Sequence, residues 1–482
     1  MPAVIEAPTD RRRGGSMSPP HEPLPPGPGR PQALQMLRYQ REPLAYVEAC
    51  ARRYGPVFTL RLPFLGASIA AVDPVDVRAI LTQVPERFPA EQGRSPLTPM
   101  VGDHATMFVT GDQHRHQRRT MLGVFSGGIA ARWGTAIERI AEAELVRVPL
   151  RGEPVALLPA ARRIAFGVIC RAVFGELSAR DVAVMRREVG RSDDPRLGLM
   201  LVAPTLWDRP GRLNPGRSMR SRRDTLNRLL FDEIARRRAQ ASHDDPADGD
   251  RAHDDVLSLL VRARDAHGAP LTDLEIRDQL VGLVILGHEI TSAGIAWPLE
   301  RLSRVPAVHD RLQEELAAGD ETYLDAVVQE ALRIRSPILD APRTTTEPVE
   351  LGGRRIPTGI VVSAMCAVTQ RNPEVWEDPL AFRPERFLGD RPAPYAFTPY
   401  GGGVRRCVAA SLTTLLMQTV VRLVAERATL SPAPGPEERS RLYGLSLLPS
   451  RGARVVLQRR RRPAHSTRSS STSGARVASQ LG

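Results

Sequence analysis

The stretch "YGGGVRRCVAA", residues 400–410, places three glycines, two arginines and one of only four cysteines in front of an apolar run. The spacing of that run predicts a buried helix that begins just after Cys407. The positive end of such a helix, together with Arg405 and Arg406, favours the thiolate form of the cysteine. The glycines allow the backbone to approach a flat partner closely. A planar, iron-bearing group ligated by sulfur would satisfy all of these features, with Phe397 packed beside the sulfur.

The composition is that of an ordinary globular protein. The chain has 482 residues, 42% hydrophobic and 25% charged, and it is long enough for a large buried core. No stretch approaches the roughly 18 uninterrupted apolar residues of a membrane helix. The arginines near the N-terminus are followed by no apolar segment, so a signal peptide is not indicated. We therefore expect a cytoplasmic protein without a membrane span.

The cysteines and the charge exclude several classes of function. No pair has CxxC spacing, so neither a zinc site nor a disulfide framework is indicated, and Cys50, Cys170 and Cys366 are interpreted as core or surface residues. The net charge is +13, and every one of the 67 basic residues is arginine. The arginines are scattered and do not alternate with aromatic residues, which argues against a nucleic-acid partner. A basic face for an acidic protein partner is the better interpretation.

The organisation along the chain predicts one domain between two tails. Residues 1–40 are rich in proline and arginine and form a partly disordered lead-in, and residues 459–482 form a basic, Ser/Arg-rich disordered tail. Residues 41–458 form the one domain between them. Within this domain, residues 241–255 contain two histidines and several aspartates. We interpret this segment as a solvated connector rather than a metal site.

The pattern within this domain predicts a mainly α fold with small β-sheets (α+β). Helical spacing dominates residues 112–335, including a long helix from Thr272 to about Arg304. "PVFTLRLPFLGASIAAV" predicts two short strands, and "VELGGRRIPTGIVVSAMCAV" predicts strands joined by a Gly-Gly turn. The C-terminal "YGLSLLPSRGARVVLQ" predicts a further hairpin.

The segment "FTPYGGGVRRCVAA" resembles the haem-binding loop of the cytochrome P450 family, and the resemblance extends from about residue 25 to 457. It implies a single domain of that fold, with a long central helix over the haem. It also implies that Cys407 is the axial ligand of the iron of haem b and that Arg405 contacts a haem propionate. Ala409 replaces the family's usual glycine. The resemblance further implies propionate contacts from "GDQHRHQRR" and "PRTTTEPVELGG", which supply His114, Arg118 and Arg343.

Two further segments resemble structural elements of the same family. "VVQEALRIRSP" carries Glu330 and Arg333 three residues apart, on one face of a helix, and "FRPERF" supplies Arg386. The resemblance implies that these three form a buried structural triad that holds the surroundings of the cysteine loop.

The long helix contains "LVGLVILGHEITSAGIAW", which resembles the family's oxygen-activation element. Glu289 lies within an apolar run, where an unpaired carboxylate is costly, and this suggests a role in proton delivery. Ile290 replaces the family's threonine, and Leu286 replaces its alanine. Three explanations remain open: Thr291 supplies the hydroxyl through a local overwinding or bulge, a substrate hydroxyl or water replaces it, or the reaction is a different one. Pro298 removes one helix hydrogen bond and predicts a kink.

The resemblance also implies a substrate and an electron source. Segments that line the pocket in the family include the loop before His114, "MLVAPTLWDRP", the long helix, "SPILDAP" and the "YGLSLL" turn. These suggest a lipophilic substrate such as a terpenoid, a fatty acyl chain or a polyketide, as in secondary metabolism. Electrons would come from a separate ferredoxin-type donor with its reductase, and O2 would be the co-substrate. The expected pocket residues are Leu283, Leu286, Ile290, Ile338, Leu339 and Leu445.

The leading hypothesis is therefore a haem-thiolate monooxygenase. The second hypothesis is a haem-thiolate enzyme that does not use the threonine-assisted activation of O2. Such an enzyme would be a peroxygenase, an isomerase or a dehydratase. A third is a catalytically silent binding protein, for haem and a ligand or for nucleic acid through its arginine excess.

Overall fold

The fold is built around one long, buried helix, α11 (Asp273–Arg304). A computed structural model describes residues 23–63, 66–83, 97–125, 128–189, 215–242, 255–265, 267–390 and 392–460. Thr272 caps the helix in a reciprocal pair with Glu275, in which each side chain bonds to the other's backbone N–H. Most of the helix is buried, and its buried residues include charged ones such as Arg277, Glu289 and Glu300 as well as apolar ones. It begins and ends where the sequence predicted.

The remaining helices surround α11. They are α1 (Gln32–Arg41), α2 (Pro43–Tyr54), α3 (Pro74–Thr82), α4 (Thr98–Val101), α5 (Gly111–Phe125), α6 (Ile129–Leu145), α7 (Leu158–Phe174), α8 (Ala179–Val189), α9 (Pro215–Ala241), α10 (Val256–Arg262), α12 (Pro306–Ala317), α13 (Thr322–Ile334), α14 (Cys366–Thr369) and α15 (Ala410–Arg427). Among them, α7, α13 and α15 pack directly on α11. The mainly α fold expected from the sequence is confirmed.

The strands form small sheets at the edge of this helical body. They are β1 (Val57–Leu62), β2 (Gly66–Ala71), β3 (Arg151–Ala156), β4 (Ala341–Thr344), β5 (Val349–Leu351), β6 (Arg354–Ile356), β7 (Val361–Ala364), β8 (Ala428–Pro432), β9 (Ser440–Tyr443), β10 (Ser446–Pro449) and β11 (Arg454–Arg459). The four-stranded sheet has the order β1-β2-β7-β4, and the three-stranded sheet has the order β3-β11-β8. The β5–β6 hairpin turns at Gly352 and Gly353, both at positive φ, as the Gly-Gly pattern predicted.

The predicted C-terminal hairpin is wrong in its pairing. Both strands exist, but β10 pairs with β9 rather than with β11, and β11 lies between β3 and β8. The partners of β11 come from far away in sequence, so local turn signals could not reveal them.

Two close approaches fix α11 against its neighbours. A Cβ on Gly287 would lie 2.6 Å from Ile169 of α7, and one on Gly294 would lie 2.1 Å from Met417 of α15. A larger residue at either position would require the facing side chain to move. The helix stays α-helical through Pro298, with no bulge.

Helix α11 also holds the loop that precedes α5. Arg277 donates hydrogen bonds to the carbonyls of Val101 and Met100 at 2.7 and 2.9 Å. Gln279 accepts from the backbone N–H of Thr106 at 2.9 Å. These buried polar contacts place residues 97–110 beside the central helix, where they form one wall of a large cavity.

Among the described residues, α11 is the one helix long and apolar enough to cross a membrane. Of its most apolar window, 72% is buried inside the protein, as in the core helix of a globular fold.

Candidate functional site

A cavity of about 1250 Å³ lies between α11, the cysteine loop and the sheet that contains β4. Cys407 borders this cavity, and its side chain is exposed to it. The backbone N–H of Cys407 donates to the carbonyl of Tyr400 at 2.9 Å, which closes the loop on itself. Helix α15 begins three residues later, so its positive end lies beside the thiol.

Two of the three glycines in the loop, Gly401 and Gly403, share a backbone conformation but differ in their surroundings. Gly401 and Gly403 have φ of 69° and 61°, which other residues adopt only with strain. A Cβ on Gly403 would lie 2.1 Å from the carbonyl oxygen of Leu81, whereas one on Gly401 would meet open space. Gly403 therefore packs closely against α3, whereas the space beside Gly401 is open. Ala409 has φ of −95°, so its methyl group causes no backbone strain.

Burial raises the pKa of the Cys407 thiol, while the backbone N–H of Ala409 and the charges of Arg118 and Arg406 act in the opposite direction. Burial therefore opposes the thiolate form that the helix end and the arginines favour. Coordination to a metal ion deprotonates a thiol outright.

Four basic side chains converge on the same cavity from three separate parts of the chain. His114 and Arg118 lie one turn apart on α5, Arg343 lies on β4, and Arg405 lies in the 3-10 turn Gly403–Arg405. Burial and the nearby arginine charges lower the pKa of His114 to about 4. Burial, with the charges of Arg343 and Arg118, lowers the pKa of Arg405 to about 10. Such mutual repulsion indicates a site for an anion.

Two buried atoms in this group lack a hydrogen-bond partner. They are Nδ1 of His114 and Nε of Arg405. Arg405 does donate from Nη2 to the carbonyl of Val109 at 2.8 Å. Unpaired buried polar atoms are costly and rare, so a ligand with acceptor oxygens is expected here. An anionic, sulfur-ligated group that fills the cavity would satisfy both the basic side chains and the thiol, and haem, with its two carboxylates, has this chemistry.

The cavity wall over the loop comes from one stripe of α11. Leu283, Leu286, Gly287 and Ile290 recur at helical spacing and line the cavity. Thr291 lines it too, on an unbroken α-helix, so no overwinding or bulge is needed to bring it there. The other expected pocket residues, Ile338, Leu339 and Leu445, also line it. The segment "MLVAPTLWDRP" and most of the 241–255 connector lie outside the described residues.

Glu289 lies outside this stripe and does not line the cavity. Arg162 of α7 donates from Nη2 to its carboxylate at 2.7 Å. The sequence argument treated Glu289 as an unpaired carboxylate and missed Arg162, because a single arginine on a separate helix carries no local signal. The pair accounts for the burial of Glu289 without a catalytic role.

Phe397 is also placed differently from expectation, since it does not line the cavity. Its ring packs on Phe387, with centroids 4.9 Å apart. Phe387 closes the 3-10 turn Pro384–Phe387, which carries Arg386. Phe397 therefore connects the cysteine loop to the neighbouring ion-pair cluster.

The three residues of that cluster are brought together. Arg333 donates to both carboxylate oxygens of Glu330, at 2.6 and 2.8 Å, and both side chains are fully buried. Arg386 lies 3.5 Å from the same carboxylate. Arg333 also donates to the carbonyls of Gln370 and Pro379 at 2.9 Å each. The cluster ties α13 to the chain that leads into the cysteine loop.

Sequence reasoning missed many further cavity residues, among them the titratable Tyr39, Asp340 and Cys366. Tyr39 falls in the segment interpreted as a lead-in, and Asp340 sits unmarked inside "SPILDAP". Cys366 was expected to be a core or surface residue. It is buried, and burial raises the pKa of its thiol to about 11.

Known proteins resemble this chain over nearly its whole length. The family model for cytochrome P450 matches residues 23–456. A putative cytochrome P450 135B1 of Mycobacterium tuberculosis is 35% identical over 448 residues, which cover 90% of this chain and 91% of the relative. A putative cytochrome P450 138 of Mycobacterium bovis is 33% identical over 446 residues, covering 92% and 98%.

A solved structure shares the fold. Retinoic acid bound cyanobacterial CYP120A1 superimposes with a TM-score of 0.77 at 23% identity, covering 91% of this chain and 99% of that one. The sequence matches and the fold agree with the cysteine loop and the basic cluster. The chain therefore belongs to the cytochrome P450 family and is a haem monooxygenase with a cysteine thiolate as the iron ligand.

Proposed function

We propose that this protein inserts one oxygen atom from O2 into a lipophilic small molecule, with electrons from a separate ferredoxin-type donor and its reductase. The observation that carries the proposal is the shared cavity: Cys407 and the basic cluster border the same space, and much of the remaining wall is apolar. A terpenoid, a fatty acyl chain or a polyketide suits such a wall. The place of action is the cytoplasm.

The chain's own residues divide the work of holding haem b. Cys407 would supply the thiolate that ligates the iron, and His114, Arg118, Arg343 and Arg405 would bind the propionates. The bound haem supplies the O2 chemistry, which thiolate ligation favours. The triad of Glu330, Arg333 and Arg386 holds the loop in place. Charge-assisted hydrogen bonds to the propionates would satisfy the donors that lack partners.

Substrate orientation falls to the stripe on α11 and to the opposite wall. Leu283, Leu286 and Ile290 on one side, with Ile338, Leu339 and Leu445 on the other, present an apolar surface that excludes water. Leu286 and Ile290 are larger than the alanine and threonine usual in the family, so they narrow the space above the cysteine loop.

Proton delivery uses Thr291 in this proposal. Its hydroxyl lies on a residue that borders the cavity, whereas the carboxylate of Glu289 accepts from Arg162. Glu289 can act as a proton source only when its carboxylate leaves Arg162. Thr291 is therefore the residue that holds the proton nearest the cavity. Glu289 lies farther from the cavity in the same proton route.

A second candidate function follows from Ile290. Without the usual threonine hydroxyl at this position, the protein would use peroxide directly, or catalyse an isomerisation or a dehydration. A silent haem-binding or nucleic-acid-binding protein is the third alternative, and deletion of both tails should leave no salt-sensitive DNA binding.

Two measurements on haem-loaded protein test these functions. A spin-state titration against terpenes, fatty acids and polyketides identifies the ligand class. Turnover of that ligand is then compared between a ferredoxin, its reductase, NADPH and O2 on one side and hydrogen peroxide alone on the other. Product with the ferredoxin system supports the monooxygenase. Product with peroxide and none with the ferredoxin system contradicts it. No spin shift and no product with any compound would favour the silent protein.

A further inference from the structure

A small polar site lies within the cavity, at residues that the haem does not require. Asp340 and Tyr39 both line the cavity, the first after α13 and the second on α1. Asp340 supplies the one carboxylate among the described residues of the cavity wall. Apolar side chains share this part of the wall, including those of Met36, Leu62 and Leu339.

The Asp340 carboxyl is not fully compensated by its neighbours. The Ser363 hydroxyl and the Arg343 guanidinium both favour its charged form, yet burial outweighs them and raises its pKa to about 6. The net direction is upward, so these two groups do not offset the cost of burying the charge. A ligand that donates a hydrogen bond would further stabilise the charged form.

Tyr39 complements this carboxyl. Its side chain is only 6% exposed, and burial, with the negative charge of Asp340, raises its pKa well above the ordinary value. The phenol therefore stays protonated and offers an O–H donor. An ionised carboxylate accepts only, so the two residues present one acceptor and one donor on the wall of the same cavity.

This pairing selects among polar groups. A hydroxyl both donates and accepts, so it can satisfy Asp340 and Tyr39 together. An ammonium group cannot accept from Tyr39, and it would enter a cavity rich in arginine. A carboxylate cannot donate to Asp340. The arginines that line the cavity are Arg41, Arg118, Arg343, Arg405, Arg406 and Arg441.

We propose that Asp340 and Tyr39 form a hydrogen-bonding subsite for a hydroxyl group, so that the substrate is a lipophilic alcohol. The inference rests on the proposed function, whose substrate class it makes narrower. It predicts that the alcohol is anchored at this subsite while an apolar part of the molecule reaches the space above the cysteine loop.

The test compares dodecan-1-ol with its methyl ether in haem-loaded protein. Binding is followed by spin-state titration and, independently of the haem spectrum, by calorimetry. The ether keeps the oxygen but cannot donate. We expect the wild type to prefer the alcohol about tenfold, the loss expected for one hydrogen bond to a charged acceptor. Asp340→Asn should reduce that preference. Tyr39→Phe should weaken the binding of alcohol and ether alike, and Asp310→Asn, on the exposed face of α12, should leave both affinities unchanged.

The outcomes separate this inference from the proposed function. Equal affinity for alcohol and ether in a wild type with thiolate-ligated haem overturns the subsite and leaves the monooxygenase standing. Absence of a thiolate-ligated spectrum overturns the proposed function instead. If Asp340→Asn loses haem faster but keeps the full preference for the alcohol, Asp340 only positions Arg343, and the subsite is wrong.

Discussion

Arg162 on α7 and Glu289 on α11 form a buried ion pair, with 2.7 Å between Nη2 and Oε1. The side chains are 19% and 9% exposed. The two helices approach closely two residues before Glu289, at Gly287, where a side chain would collide with Ile169. The pair therefore sits close to a tight approach between these helices, and Glu289 does not line the cavity.

Loss of Arg162 should cost more than loss of the whole pair. Arg162→Ala removes the guanidinium that solvates the buried Glu289 carboxylate, and we expect a loss of about 2–3 kcal/mol in the free energy of unfolding. The double variant Arg162→Ala with Glu289→Gln should recover part of it. Urea unfolding at pH 7 measures both, and a double variant as unstable as the single one would contradict a direct pairing.

Cys407→Ala should abolish the thiolate-ligated haem spectrum, because it removes the proposed axial ligand. Cys366→Ala is the matched control, since Cys366 borders the same cavity and is also a free thiol. Its spectrum should match the wild type. Retention of the thiolate signature in Cys407→Ala, or its loss in Cys366→Ala, would show that Cys407 is not the iron ligand.

Arg405→Gln should release haem about tenfold faster than the wild type, because a charge-assisted hydrogen bond to a propionate is lost. Transfer of haem to excess apomyoglobin gives the rate. Arg115→Gln provides the control, because Arg115 lies on α5 beside His114 but is exposed and paired with Asp112. Equal rates for the two variants would speak against the propionate role.

Asp340→Asn should stabilise ligand-free, haem-loaded protein at neutral pH. The pKa of Asp340 is about 6 in the fold, against 3.8 for the ordinary carboxyl. Between these values the folded state holds a proton that the unfolded state has released, so this group's contribution to stability falls as pH rises from about 4 to 6. At pH 7 the asparagine variant should gain about 1–2 kcal/mol, less than the full shift because Asp340 is partly exposed.

The same comparison at pH 3.5 should show little difference, because the carboxyl is then protonated in both states. Urea midpoints of wild type and variant at the two pH values measure the effect. A variant that is less stable than the wild type at pH 7 would show that Asp340 is fully compensated, contrary to the direction of its pKa.

Thr291→Val should increase the fraction of delivered electrons that leaves as hydrogen peroxide, because it removes the hydroxyl of a residue that lines the cavity. Ile290→Thr should lower that fraction, and Ile290→Val serves as a control that keeps a branched apolar side chain. Peroxide released per NADPH consumed gives the ratio. An unchanged ratio in Thr291→Val would show that water or substrate carries the proton instead.

Patterns in the sequence located the parts of the site that depend on local order. The loop around Cys407, the helix with its cap at Thr272 and the Glu330–Arg333 spacing could all be read from residues close together in the chain. Contacts between remote segments could not. Arg162, Tyr39 and Asp340 carry no motif, and the pairing of β11 with β3 and β8 joins strands far apart in sequence.

The sequence by itself determined the family, the mainly α architecture and the cysteine that we propose as the iron ligand, because these depend on periodicity, on capping and on residues fixed within short segments. Only the tertiary structure decided which side chains face the cavity. Glu289 and Ile290 are neighbours on one helix, yet a rotation of about 100° between adjacent residues turns one toward Arg162 and the other toward the cavity. The packing of the other helices on α11 determines which side chains lie against each of its faces.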